Sequence, residues 1–567
     1  DESYKLDVTS DAVHIHAATL FGAYHAFETL LQLAQPQASG FGFPAVRIND
    51  SPRFPWRGLL IDSGRHFMPY ATVLRTLDGM AAVKLNVLHF HISEDQGFRF
   101  ESKRFPKLTS MGSEGKFYTQ DEIRMIVAYA AARGIRVVPE FDIPGHATSW
   151  MVGYPELGSA PGPYTVSHRF GVLDPAMDPT KESTYKFLDE FFGEVVTLFP
   201  DQYIHIGGDE SNGKQWKANP AIVRFMKDHN LADTHALQAY FNKRVEAILT
   251  KHNRKMVGWD EILHPDLPAD IVVQNWHGIE TLTGAAKQGH LAIYSKPYYL
   301  DHMYSAAQMY SKDPIPADSG LTPEQAKRIL GGEACSWSEM VTSETVDSRI
   351  WPRTAAVAER FWSAQNVTDT DDMYRRLGVE SLRLDALGLQ HISGPQRLLR
   401  QLDGSANPLA LTTLAATLSP VEFGVRSHHQ HPTTDIPFTN MVDAVVFDPP
   451  MQHDLETWVA TYLHSGDPLV RHHLEELFQS WIAASASLET LTPQQERLRN
   501  MLPRIHELAQ LGHIGLDAIK AHETHTALTP DKLKSTNATL TQIAKFDDSL
   551  TTFVVLAPLH ALVNATK

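Results

Sequence analysis

Between about residue 54 and residue 362 the chain alternates short apolar runs with helical patterns, and the runs number eight. The apolar runs fall at 58–62, 87–92, 136–142, 203–207, 255–259, 271–275, 291–294 and 330–336. Patterns with a helical period lie at 71–83, 120–133, 181–198, 235–252, 281–288 and 346–362. Eight strands with intervening helices predict an α/β fold, a closed (β/α)8 TIM barrel. A doubly wound open sheet is the alternative, but no Gly-rich phosphate loop opens the first helix. The 567 residues exceed one ordinary domain, and both flanks of the barrel read differently. Residues 1–52 predict a partial N-terminal α/β accessory domain. There Tyr4, Leu6 and Val8 alternate, Val13 and Ile15 follow, and a helix spans 19–34. The barrel is expected over 53–388. Residues 389–567 are expected to be an irregular segment, over 390–455, and then a helical C-terminal domain. Its Leu474, Leu477, Trp481, Leu498, Leu502 and Ile505 recur at helical spacing; such a bundle packs on the barrel or on a partner subunit, as in a homo-oligomer.

A barrel places its chemistry at the C-terminal ends of its strands, and the unusual side chains of this chain stand there. The run ends carry Asp62 and Arg65; His89, His91, Glu94 and Asp95; Glu140, Asp142 and His146; Asp209 and Glu210; Trp259, Asp260 and Glu261; Trp276 and His277; and Trp337 and Glu339. A loop after the seventh run adds Tyr298, Tyr299 and Asp301. At the fourth end the Gly207-Gly208-Asp209-Glu210 tetrad sets two adjacent carboxylates where a buried strand opens into a loop. Glycines there let another molecule approach the backbone, and paired carboxylates are the equipment for breaking a glycosidic bond. The plain alternative is an N-cap for the next helix. Trp259, Trp276 and Trp337 supply flat apolar faces that stack on the C–H face of a pyranose, so the mouth reads as a sugar pocket. A phosphate substrate would call for more lysine or a glycine-rich nest.

Composition removes other classes. The formal net charge of −16 argues against nucleic-acid binding. The one cysteine, Cys335, forbids an internal disulfide and reads as a small buried residue. No apolar run reaches the length of a membrane span. The opening DESYKLDV shows no leader, which reads as a mature or trimmed chain from a secreted or periplasmic protein. His89 and His91 share one strand face, so a metal-dependent hydrolase with Asp209 or Glu210 completing the site is one rival. A catalytically inactive glycan-binding barrel is another. The His-rich tract at 427–432 reads as a solvated loop.

Five segments together carry a family resemblance: WRGLLIDSGRH (56–66), LHFHISEDQGFR (88–99), PEFDIPGH (139–146), HIGGDE (205–210) and GGEACSW (331–337). They resemble the β-N-acetylhexosaminidases of glycoside hydrolase family 20, and the resemblance runs to about residue 385, with the N-terminal fragment similar to the tail of that family's accessory domain. It implies an exo-acting, retaining enzyme that releases terminal β-linked GlcNAc or GalNAc from glycans. The substrate's own 2-acetamido group is the nucleophile, and no metal or cofactor takes part. By match, Glu210 is the general acid and base, and Asp209 orients the acetamido N–H and stabilises the charge that develops there. Arg65, Glu339 and Asp301 hold outer hydroxyls, Tyr299 binds the acetamido carbonyl, and Trp259, Trp276 and Trp337 wall the ring. His146 and Glu94 stand behind Glu210, which as an acid needs a raised pKa. Position 94 carries Glu where the family often has Asp.

Overall fold

A computed structural model describes residues 1–265 and 267–566. Residues 1–343, 352–389 and 432–436 form one compact unit; residues 344–351, 390–431 and 437–567 form a second.

The first unit contains the barrel. Its strands are Trp56–Asp62, Val87–His91, Arg136–Glu140, Tyr203–His205, Lys255–Trp259, Val272–Asn275, Leu291–Tyr294 and Ile329–Ser336, in sequence order around a closed sheet. All pairs are parallel, and the eighth strand closes on the first from Gly331 opposite Trp56 to Ser336 opposite Ile61. Side chains alternate along each strand, so the interior fills in layers. The lowest layer is apolar: Trp56, Val87, Val138, Tyr203, Val257, Val272 and Ile293 pack together and are buried. Two residues further along the strands the layer turns polar, with His89, Glu140, His205, Gln274 and Glu333, all at most 1% exposed. The third layer opens to the mouth.

The barrel helices follow the sequence pattern with one break. The helix expected over 346–362 is two, Val346–Ile350 and Arg353–Trp362. Pro352 lacks an N–H and excludes the helical conformation from the residue before it; Trp351 is extended, at φ −103° and ψ 150°. At the N-terminus, strands Val13–Ala17, Tyr4–Val8 and Val46–Asp50 form an antiparallel sheet in that order, with helix Leu20–Gln32 beside it. Tyr4, Leu6, Val8 and Ala26 pack around Trp362; the thin core of this sheet is completed by the barrel's own tryptophan.

The second unit overturns one expectation. The segment 390–455 is not irregular: it holds helices Ser393–Asp403, Leu409–Ala416 and Phe423–Gln430 and the start of Pro450–Ser465. Prolines hid them, since Pro395 and Pro450 stand in first turns, where no N–H is needed. Most of the His-rich tract is the last turn of Phe423–Gln430, with His428 and His429 exposed, and His431 is its left-handed C-cap. Long helices Pro468–Leu491 and Leu502–Glu523 bury Leu474, Phe478, Trp481, Ile505 and Leu508 in one core. Among the described residues no helix is long and apolar enough to cross a membrane.

Closure of the barrel rests on Gly331, at φ +145°, where a Cβ would lie 2.0 Å from the Trp56 carbonyl oxygen. Gly331→Ala is expected to destabilise the protein by about 2–4 kcal/mol, read as a lower thermal midpoint in a melting curve.

Candidate active site

Strand four stops at His205, and the chain then turns through three left-handed residues: Gly207 at φ 66°, Gly208 at φ 87° and Glu210 at φ 50°. A Cβ on Gly207 would sit 1.8 Å from Asp142 Oδ1, and one on Gly208 2.6 Å from Ile262 Cγ2. Both glycines are therefore demanded by close approach as well as by dihedral. The next helix, Lys214–Ala218, starts from Gly213, so the tetrad caps nothing and the N-cap alternative falls. The Gly208 N–H donates to Asp142 Oδ1 (3.1 Å), and Gln238 Nε2–H donates to the Gly208 carbonyl (2.5 Å). Asp142 thus fixes the tetrad backbone while also lying beside His146.

His146 joins the two carboxylates to the barrel. It too is left-handed, at φ 51°. Its Nδ1 meets Glu94 Oε1 at 2.8 Å, and its Nε2 lies 3.3 Å from Glu210 Oε2 and 4.0 Å from Asp209 Oδ2. Burial opposes a charged His146, but Glu94 and Glu210 outweigh it and hold the imidazolium well above its ordinary pKa. Glu210 moves the other way: contact with His146, then the charges of His146 and Arg65, push it below the ordinary carboxylate range. The expectation that this shell raises Glu210 is overturned, because a cation stands where an apolar wall would be needed. Asp209 separates from its neighbour, raised by burial to about 6. Asp142, beside it, is raised by burial and then by Asp209, and Glu261 is raised to about 8 by the same two causes.

Across Glu94 from His146 stands a cation among acids. Arg65 donates to Asp62 Oδ2 (2.9 Å), lies 3.3 Å from Glu94 Oε2 and 3.7 Å from Glu339 Oε1, and sits 5.0 Å from the Trp337 ring centroid. Burial and then the charge of Glu339 raise Asp301 well above its ordinary value. Tyr299 pairs with Cys335 of strand eight as an isolated bridge, and the Leu300 N–H donates to the Cys335 carbonyl. The bridge pins the loop after strand seven between the turn Lys296–Tyr298 and a second turn at 300–303, and Tyr299 and Asp301 are both buried there. Among the described residues, Arg65 Nε, Glu339 Oε2, Asp301 Oδ1, Asp209 Oδ1 and His146 Nε2 are buried polar atoms of this mouth without a hydrogen-bond partner within the chain. Such atoms are costly unless something polar meets them.

The aromatics divide by depth. Trp259 is 1% exposed and donates through Nε1 to Glu140 Oε1 (2.9 Å), so it forms floor rather than wall. Trp337 stands above it, with ring centroids 5.5 Å apart. Trp276 is half-buried and donates to Glu261 Oε2 (3.0 Å). Tyr299, Trp259 and Trp337 pack with Leu60 and Cys335, and Trp276 and Tyr304 flank that cluster.

Sequence reasoning gave no role to Glu140, Glu333 or Asp62. The one signal for Glu333 was a carboxylate inside an otherwise small and apolar strand. For a metal, His89, Glu140 and His205 bring ligand atoms within 4.8 Å of one another, as do Asp142, His146 and Asp209. The set expected for the rival hydrolase does not assemble: the two His91 nitrogens face Glu140 (2.5 Å) and Glu94 (3.2 Å), not Asp209 or Glu210.

Comparison with known proteins finds relatives over most of the chain. The family described as glycosyl hydrolase family 20, catalytic domain, matches residues 54–365, and one described as beta-acetyl hexosaminidase like matches 1–33. The beta-hexosaminidase subunit beta of Mus musculus is 39% identical over 402 residues, covering 69% of this chain and 74% of its own. The beta-hexosaminidase of Porphyromonas gingivalis is 35% identical over 479 residues, covering 77% and 61%. Among solved structures, the chitobiase of Flavobacterium johnsoniae superposes with a TM-score of 0.93 at 39% identity, over 99% of this chain and 86% of that one. The exo β-N-acetylglucosaminidase of Vibrio harveyi gives 0.63 at 31% identity, over 69% and 67%.

Glu94 is the anion on which Arg65, His91 and His146 converge, and despite burial they hold it well below the ordinary carboxylate range. Glu94→Gln is expected to cost about 3–5 kcal/mol at neutral pH, since it leaves buried cations unmatched. A depressed folded-state pKa gives stability that is present above the unfolded value and lost as pH falls through the folded one. Denaturant unfolding should therefore show the gap between wild type and variant narrowing below about pH 4.

Proposed function

The chain belongs to glycosyl hydrolase family 20 and is an exo-acting, retaining β-N-acetylhexosaminidase; from that premise we propose how its own residues carry the reaction. The substrate is a glycan ending in a non-reducing β-linked GlcNAc or GalNAc, whose acetamido carbonyl attacks the anomeric carbon in place of an enzyme nucleophile. The carrying observation is the separation of the two adjacent acids: Glu210 lies against His146, and Asp209 keeps a buried, unpartnered Oδ1.

Glu210 and His146 share one proton. His146 Nε2 supplies it to Glu210, and Glu210 passes it to the glycosidic oxygen as that bond breaks. In the second half-reaction Glu210 takes a proton from the water that opens the oxazoline-type intermediate, which restores the pair. Asp209, ionised, accepts the acetamido N–H and balances the positive charge that grows on the ring formed by the acetamido group. The phenol of Tyr299, kept neutral by burial, donates to the attacking carbonyl. Arg65, Glu339 and Asp301 offer their unmet buried atoms to the outer hydroxyls of the sugar. Trp337 and Trp276 wall the ring, and Trp259 closes the floor beneath the acetamido group. Contacts of Arg65, Glu339 and Asp301 with the outer hydroxyls suit a terminal sugar, as an exo-acting enzyme requires. We place the protein outside the cytoplasm, secreted or periplasmic, where polymeric glycans are met, and propose the C-terminal helices as the surface of a homo-oligomer.

Glu210→Gln is expected to lower kcat by about 10²–10⁴ on substrates with poor leaving groups, and far less on activated aryl glycosides. Asp209→Asn should depress turnover of every N-acetyl substrate. A panel of chromogenic β-glycosides checks the acetamido requirement: equal rates on the glucoside and the N-acetylglucosaminide would overturn it. Asp209 must be ionised, so kcat/KM should fall as pH drops below about 6, the value to which burial raises it.

A further inference from the structure

Beneath Glu210 the acids and imidazoles do not stop at His146. Glu94 Oε2 lies 3.2 Å from His91 Nε2, and His91 Nδ1 lies 2.5 Å from Glu140 Oε2. The same Glu140 oxygen is 3.0 Å from His89 Nε2, and His89 Nδ1 is 2.6 Å from Glu333 Oε1. Carboxylate and imidazole therefore alternate without a gap from the mouth to the polar layer of the barrel. His146, His91 and His89 each have a carboxylate at both ring nitrogens. Both nitrogens of His91 and the Nδ1 of His89 and of His146 are hydrogen-bonded, the Nε2 of His89 and of His146 lies at ion-pair distance only, and carboxylates on two sides favour the imidazolium.

We propose that this ladder is an electrostatic tuning element, and that His89 and Glu333 at its foot are positioning residues that set the protonation of the His146–Glu210 pair without touching substrate. The inference rests on the reading of Glu210 as the acid. The ladder rungs from Glu333 to Glu94 are at most 1% exposed, so their charges are poorly screened and each biases the next. Removing the cation at His89 leaves the anions above it less compensated and raises proton affinity along the ladder. Removing the anion at Glu333 does the reverse. The ladder consumes no proton, because the one given to the leaving oxygen returns from water.

Other charged and polar groups face these rungs and are part of the balance. Glu333 also accepts from Trp56 Nε1 (2.9 Å) and Gln274 Nε2 (2.6 Å). The His205 ring lies 4.5 Å from that of His89 and its Nδ1 3.1 Å from Glu140 Oε1, but burial lowers its pKa and it takes the Gly207 N–H at Nδ1, so it stands beside the ladder as a neutral ring. Asp62 Oδ1 is 3.9 Å from His91, Arg65 is 3.3 Å from Glu94, and Asp95 Oδ2 is 3.8 Å from His146. Asp142 and Asp209 complete the surroundings of His146. Burial lowers His89, but the charges of Glu333 and Glu140 outweigh it and leave His89 at about 9.

The test is the pH dependence of kcat on a substrate with a poor leaving group, whose basic limb reports loss of the shared proton. His89→Gln should move that limb up by about half a pH unit, roughly threefold in the protonated fraction, with KM near the wild-type value. Glu333→Gln should move it down, and the double variant should bring it back towards the wild-type position. Limbs that stay fixed while kcat or the melting temperature falls, or a double variant whose limb lies further from wild type than either single, would show a merely structural role and overturn the proposal. If His89→Gln does not fold, Glu333→Gln decides alone: a downward limb supports the ladder and an unmoved one refutes it. The two readings separate in Glu210→Gln: an undiminished rate there fails the acid assignment, whereas an inactive Glu210→Gln with fixed limbs in the foot variants fails only the ladder.

Discussion

Glu140 is 0% exposed in the middle of the barrel, in the same layer as the equally buried Glu333, and the site above depends on how its charge is matched. His91 and His89 meet one of its oxygens, and the Trp259 indole N–H donates to the other. These partners come from strands two and five, while Glu140 itself closes strand three. A buried charge without partners is among the costliest features a core can hold, so each partner is pinned in one orientation. Those orientations propagate upward. His91 fixes Glu94, Glu94 fixes Arg65 and His146, and His146 fixes Glu210.

This arrangement explains why two neighbouring acids behave differently. Asp209 and Glu210 are consecutive in the chain and share one turn, yet the left-handed conformation of Glu210 sends its side chain to His146. Asp209 instead faces Asp142 and Glu261, and like charges in a buried site cannot all ionise together. The pKa values are pushed apart by neighbours that the linear order does not reveal. The apolar layer under the polar one completes the logic: it excludes water from below, so the charges above interact in a medium that weakens them little.

Much of the barrel was legible because its signal is periodic. Eight apolar runs predicted eight strands, with ends displaced by at most two residues. The helix over 346–362 broke because Pro352 interrupts a pattern whose hydrophobic period does not reveal the break. The helices within 390–455 were missed for the opposite reason, since prolines in first turns read as breakers when they are starters. The strand Val46–Asp50 escaped because its sequence, VRIND, is short and polar. The C-terminal unit carries no chemistry-bearing pattern, yet the Flavobacterium johnsoniae structure covers 99% of the chain, so this unit has a structural counterpart where the sequence showed none.

The sequence by itself determined the architecture, the level at which the polar side chains stand, and the chemistry they can perform, because strand period and barrel topology place every run end at one mouth. Only the tertiary structure decided which acid meets which base. It turned Glu210 from an expected raised acid into the ionised partner of His146, made Asp142 the anchor of the Gly208 backbone, and joined Glu140 and Glu333 to the site. The physical reason is that a pKa is set by burial and by charges within a few ångströms, and those charges come from strands far apart in the chain.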